Sequence, residues 1–140
     1  MPINKSITAI MSTNLKTLHP KDKLKKANAI FEEYNIHHIP IEVMGDIKGI
    51  LSMGDILFIK GMINNSFDQF LQSMKFDTLT VDEIMTTNPY FVNTDATIGD
   101  ALDLMLAKGV NALLVAENNK LSGIVTSQDI MKYFQSILKK

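Results

Sequence analysis

Hydrophobic and polar positions along this chain follow two spacings in turn. From about Asp22 to Tyr34, residues Leu24, Ala27, Ile30 and Phe31 recur at helical spacing, giving one apolar face. A second helix is predicted from about Ile98 to Lys108, with Ala101, Leu104 and Met105 on its face. Gly109 fits a left-handed helix stop, and Asn35 holds the matching place after the first helix. Two strands joined by a tight turn follow each helix. They are His38 to Val43 and Ile47 to Leu51 around Met44-Gly45-Asp46, then Ala112 to Ala116 and Leu121 to Val125 around Glu117-Asn118-Asn119-Lys120. Short strands around Thr17-Leu18 and Tyr90-Phe91-Val92 precede the helices. Ser52 and Thr126 stand where a helix N-cap belongs, and Asp55 and Asp129 three residues later make an acidic capping box. Phe67, Phe70, Leu71 and Met74 predict a short amphipathic helix in the linker 61–79.

The pattern repeats because the sequence does. A shift of 74 residues lays residues 10–57 on 84–131 without a gap. Nine positions are then identical, namely Ile10, Met11, Thr13, Asn14, Ala27, Gly49, Ile50, Asp55 and Ile56, where random pairing gives roughly three. Apolar positions match as well, as in Leu18/Val92, Leu24/Ile98, Ile39/Leu113 and Ile47/Leu121. Each repeat reads β-α-β-β-α. A three-stranded sheet with its helices cannot hide both faces alone, so the expected fold is an α/β (α+β) pair of repeats packed about a pseudo-twofold axis. The expected divisions are 7–60, the linker 61–79, and 80–135.

Composition narrows the functions open to such a pair. The chain is 46% hydrophobic and 21% charged, ordinary for a globular protein that buries roughly two-thirds of its unfolded surface. A net charge of −1 leaves no electrostatic footprint for nucleic acid or an acidic membrane. The one basic cluster, Lys21, Lys23, Lys25 and Lys26, reads as a solvated face. There is no cysteine, which removes disulfides, thiol nucleophiles and cysteine-based zinc sites. No apolar run approaches the roughly 20 residues that span a bilayer, and the first ten residues carry no signal pattern, so a cytoplasmic location is expected. Walker, nucleophile-elbow and His-Glu-x-x-His motifs are missing. The paired acids occupy equivalent places, as a binding motif would, rather than the unlike environments of an acid/base couple. No catalysis and no metal are expected.

Three pieces carry a family resemblance. They are Ile-Met-Ser/Thr at 10–12 and 84–86, Ile-His-His-Ile-Pro-Ile at 36–41, and Gly-Ile-Leu-Ser-Met-Gly-Asp-Ile at 49–56 with Gly-Ile-Val-Thr-Ser-Gln-Asp-Ile at 123–130. Two copies in order at a fixed offset resemble a tandem CBS domain pair, or Bateman module. The resemblance implies a regulatory module that binds an adenosyl ligand (AMP, ADP, ATP or S-adenosylmethionine) in clefts between repeats and signals to an effector protein. It implies that Asp55 and Asp129 hold ribose hydroxyls and that Ser52 and Thr126 contact phosphate. It also implies a homodimer. His37 and His38 resemble the basic pair of the regulatory subunit of the AMP-activated protein kinase, which reaches phosphates across the repeat interface, here toward Asp129. The second repeat has Asn111 and Ala112 instead, and Leu114 replaces the usual proline, so unequal sites are expected.

The residues support that chemistry directly. A carboxylate accepts two hydrogen bonds, which suits a vicinal diol. A helix beginning at Ser52 points N–H groups outward, and Gly54 leaves close approach open. Thr126-Ser127-Gln128 offers the same groups plus two hydroxyls. Thr13 and Thr87, on the repeated motif, are further ligand candidates, and Ile39-Pro40 or Leu113-Leu114 are candidates to line an adenine slot. A plainer reading stands beside each of these. Asp55 and Asp129 are equally explained by helix capping, and both uses coexist. His37 and His38 read equally as strand-edge residues that face opposite ways. The alternative function is a ligand-free dimerisation module.

Overall fold

The arms that open the two repeats are the key to the architecture. A computed structural model describes residues 1–61 and 73–139, in which the elements are β1 (His38–Val43), β2 (Asp46–Ser52), β3 (Thr86–Thr87), β4 (Phe91–Asn93), β5 (Ala112–Glu117) and β6 (Lys120–Thr126). The helices are α1 (Leu24–Glu33), α2 (Met53–Gly61), α3 (73–78), α4 (Ile98–Lys108) and α5 (Ser127–Leu138). The fold is mixed α+β with two three-stranded sheets, β1-β2-β3 and β4-β5-β6. The chain groups into two compact units, and these are not its two contiguous repeats. One unit is residues 16–88. The other joins residues 1–15 to residues 89–140.

In the unit 16–88, β1 and β2 form an antiparallel hairpin, and β3 adds to β2 with Gly49 opposite Thr87 and Ile50 opposite Thr86. Leu18 bridges to Ile41 on the free side of β1. The core gathers Leu24, Ala27 and Phe31 of α1 with Ile39, Ile41, Leu51, Ile56 and Val81. In the other unit, β4 runs parallel to β5 and β6 runs antiparallel to it. Ser12 bridges to Ile124 on the outer side of β6, the counterpart of Thr86 opposite Ile50. Its core holds Ile98, Ala101, Met105, Leu113, Val115, Val125, Ile130 and the arm residue Ile7. The 74-residue shift carries all eight buried residues of this core onto buried residues of the first, with Ile7 falling on Val81; Leu18, Ile59 and Phe76 of the first core have no buried counterpart.

Local chemistry sets most boundaries. Strands β1, β2, β5 and β6 fall within one residue of their predicted spans. Both hairpins shift register at the same place, after Ile41 and after Val115. Their turns are two-residue turns with both central residues at positive φ, Met44-Gly45 and Asn118-Asn119. Gly109 ends α4 in the left-handed region, as predicted. Asn35 does not do so for α1: Tyr34 turns the chain into extended backbone, and its N–H already closes on the Ile30 carbonyl. Thr97 caps α4 through a capping box with Asp100, whereas Lys23 at the matching position of α1 has no side-chain cap bond. Most of the predicted linker helix lies outside the described residues. Of it, α3 contributes Phe76 to the core, while Met74 is exposed.

The lysine cluster is exposed, and three of its four lysines are paired with acids, while Lys23 Nζ donates to the Thr78 carbonyl at 3.4 Å. Lys21 meets Asp82 at 2.8 Å, Lys26 meets Asp22 at 3.5 Å and Lys25 meets Asp77 at 3.8 Å. The Lys21 ammonium beside it holds the Asp82 carboxyl below the usual carboxylate range. Among the described residues, no helix is long and apolar enough to cross a membrane.

Candidate functional site

Each unit carries one Ser/Thr-x-x-Asp motif at a strand-to-helix junction. In the unit 16–88, β2 ends at Ser52 and α2 begins at once. Ser52 Oγ accepts from the Asp55 N–H at 3.1 Å, and Asp55 Oδ2 accepts from the Ser52 N–H at 2.8 Å. In the other unit, Thr126 Oγ1 accepts from the Asp129 N–H at 3.2 Å. Asp129 Oδ2 accepts from the Thr126 N–H at 2.8 Å and from its hydroxyl at 3.0 Å. The capping reading of all four residues therefore holds.

Capping leaves part of each carboxylate unused. Both aspartates spend Oδ2 on the cap, and Oδ1 takes no part in it. Both side chains are half-buried. Each junction thus offers one fixed carboxylate oxygen beside a partly spent helix N-terminus. The N–H supply is smaller than the sequence suggested. Met53 N–H donates to the His37 carbonyl at 2.8 Å and Asp55 N–H to Ser52, and Gly54 N–H is in neither bond. At α5, Ser127 N–H donates to the Asn111 carbonyl at 2.9 Å and Asp129 N–H to Thr126, and Gln128 N–H is in neither bond. One open N–H makes a weaker anion site than an uncapped first turn would.

The same bonds fix the histidines. His37 and His38 lead into β1, with His38 opposite Ser52 in register, so both lie beside the α2 junction of their own unit. His37 is exposed and His38 half-buried. Asn111 and Ala112 take their places beside Thr126. Thr87 lies exposed on β3, and Thr13 is exposed just after the Ser12 bridge. Ser127 is half-buried on the first turn of α5. Ile39 and Leu113 are fully buried in the cores of their units and give no surface to a ligand. Pro40 and Leu114 are also buried, on the opposite face of their strands.

The sequence reading missed a cavity. Asp55, Phe58, Lys75 and Glu83 line a space of about 380 Å³ in the unit 16–88, together with Ile59, Leu79 and Ile84. That volume lies in the small-molecule range. Lys75 and Leu79 come from the α3 region, far from the motif in sequence, so no spacing rule points to them. In the other unit a groove of about 570 Å³ is lined by Leu102, Met131, Phe134 and Leu138 among others, and Asp129 is not part of it. Among the described residues, no group of three His, Cys, Asp or Glu side chains is arranged to hold a metal ion.

The family model described as CBS domain matches residues 7–60 and 81–136. A relative in Bacillus subtilis, the CBS domain-containing protein YhcV, is 26% identical over 125 residues, covering 89% of this chain and 82% of its own. Other curated relatives are longer, and this chain spans 42% and 32% of two of them. Among solved structures, the CBS domain pair of protein MJ0100 in complex with 5′-methylthioadenosine and S-adenosyl-L-methionine aligns with a TM-score of 0.76 and 25% identity, covering 93% of this chain and 99% of that one. CBSX2 in complex with AMP aligns with a TM-score of 0.77 and 22% identity over 95% and 98% of the two chains, a likeness of fold.

Proposed function

This chain belongs to the CBS domain family, and from that premise we propose that it is a non-catalytic regulatory module that binds an adenosyl ligand and passes the occupancy on to an effector protein. One observation carries the reading. Both Ser/Thr-x-x-Asp junctions hold a carboxylate by one oxygen in its cap and keep the other outside the cap, beside a helix start. A ribose diol fits that oxygen, and a phosphate fits the remaining Gly54 or Gln128 N–H. The MJ0100 domain pair, solved with two adenosyl compounds, supports the ligand class. Asp55 is the stronger of the two sites, because it borders a cavity of ligand size and its junction has His37 and His38 beside it. Ligand would act by favouring one arrangement of the chain over another.

A thermal-shift panel tests this. AMP, ADP, ATP, S-adenosylmethionine and GTP are compared on the wild type, Asp55→Asn and Asp129→Asn. Asparagine keeps an acceptor for the cap, so each variant is read against its own ligand-free melting temperature. One adenosyl compound at a hundredfold excess over its Kd is expected to stabilise the wild type by about 2.7 kcal/mol. That shift is expected to fall most in Asp55→Asn. No shift with any adenosyl compound at millimolar concentration overturns the reading.

A second reading concerns assembly. Phe58 of α2 is 73% exposed, and Met131 and Leu138 of α5 are 62% and 82% exposed, the last two on the apolar groove. Apolar surface of this kind favours a homodimer closed through helices. Light scattering at micromolar concentration is expected to give twice the chain mass, and Met131→Glu with Leu138→Glu to give the single mass. A wild type that stays at the single mass refutes it.

A further inference from the structure

Two surface contacts become comparable only when the repeats are laid on each other. Lys16 Nζ sits over the Tyr34 ring, 4.4 Å from its centroid. Lys108 Nζ sits over the Tyr90 ring at 5.6 Å. The 74-residue shift carries Lys16 onto Tyr90 and Tyr34 onto Lys108. The two repeats thus make the same contact while cation and ring have traded places. Burial does not explain the rings, since Tyr34 and Tyr90 are 37% and 45% exposed. A ring needed for packing would occupy one position in both repeats. A trade keeps neither side chain in place and keeps the interaction, so the interaction is what the structure uses.

Its location says what for. The chain passes from one unit to the other between residues 15 and 16 and again between 88 and 89. Lys16 and Tyr90 are each within two residues of a crossing. Their partners stand at the ends of the first helices: Tyr34 follows α1, and Lys108 is the last residue of α4. Just beyond each crossing, the strand hydrogen bonds begin. Leu18 N–H donates to the Pro40 carbonyl at 3.1 Å, and Leu114 N–H donates to the Tyr90 carbonyl at 3.2 Å. We propose that Lys16–Tyr34 and Tyr90–Lys108 are equivalent clamps, each pinning the incoming segment to the end of a helix and so fixing the point at which the chain crosses between units. The attraction of an ammonium for a ring face does not depend on which segment supplies which group.

Native-state amide hydrogen exchange reads the clamp locally. Lys16→Ala and Tyr34→Ala are each expected to speed exchange of the Leu18 amide about two- to fivefold, the range for an exposed cation–π contact. The Leu51 amide, deep in the same sheet, serves as control and is expected to stay unchanged. The exchanged pair, Lys16→Tyr with Tyr34→Lys, rebuilds the arrangement of the other repeat and is expected to restore protection, as is Tyr34→Phe alone. Tyr90→Ala and Lys108→Ala are expected to act likewise on the Leu114 amide. Unchanged Leu18 exchange in both alanine variants overturns the proposal. So does an exchanged pair no better protected than the sum of its single variants. These residues are exposed, so a folded protein is expected throughout, and the melting temperature verifies that.

Discussion

Ile7→Ala is expected to cost about 2–5 kcal/mol, and the loss is expected to appear first in β5 and β6, not in the repeat that follows Ile7 in sequence. Ile7 is fully buried among Ile98, Ala101, Met105, Leu113, Val115 and Val125. Its N–H donates to the Ala96 carbonyl at 2.9 Å, and the Lys5 carbonyl accepts from Ile98 N–H at 2.8 Å. The backbone of this arm is thus held on both sides, so it cannot move in to fill the space that truncation leaves. A cavity with a fixed wall sits in the upper part of the cost range. The measurement is urea unfolding combined with amide exchange, comparing Leu113, Val115 and Val125 against Ile39, Ile41 and Leu51. If protection falls first in β1 and β2, Ile7 supports its own repeat and the exchange of arms is wrong. Val81→Ala makes the reciprocal test, since Val81 is fully buried in the core of residues 16–88.

That exchange is what the sequence could not reveal. Periodicity marks which residues are buried, and it marked Leu24, Ala27 and Phe31 correctly. It does not mark against what they are buried. The Ile-Met-Ser/Thr arm has the same pattern whether it pairs with the hairpin of its own repeat or with that of the other. Strand limits and helix caps were legible because their causes are local: a two-residue turn, or an acid three residues after a hydroxyl. The Thr97–Asp100 box was equally available from its spacing and was overlooked. At the candidate site, the capping role of Asp55 and Asp129 is local and was read. The number of open N–H groups was not, because the His37 and Asn111 carbonyls that consume one each arrive from the preceding strand. The Lys75 side of the cavity that Asp55 borders was illegible because it comes from α3, far away in sequence.

Gly49→Ala and Gly123→Ala carry the other large expectation, because the arms leave no room for a methyl group at either hairpin. A Cβ at Gly49 would stand 2.6 Å from Met85 Sδ and 2.7 Å from the Thr86 carbonyl oxygen. At Gly123 the figures are 2.8 Å to Met11 Sδ and 2.9 Å to the Ser12 carbonyl oxygen. A methionine side chain can swing away. The carbonyls cannot, since Thr86 is paired with Ile50 and Ser12 exchanges both backbone bonds with Ile124. Neither glycine has a positive φ, so alanine meets no backbone strain and gains about 0.5–1 kcal/mol by stiffening the unfolded chain. Overpacking costs about 1–3 kcal/mol or more, so the clash wins. Gly49→Ala is expected to be the worse of the two, its contacts being shorter and its arm held by a two-residue ladder. The shift in urea midpoint at constant slope measures it. Adding Met85→Ala separates the two contacts. If the sulfur alone were the obstacle, the second change would make Gly49→Ala harmless; with the carbonyl fixed, most of the loss is expected to persist. Stability within about 0.5 kcal/mol of wild type for Gly49→Ala would show that the arm yields easily, and the close approach of arm to hairpin would then not be what holds β3, and with it Thr87, in place.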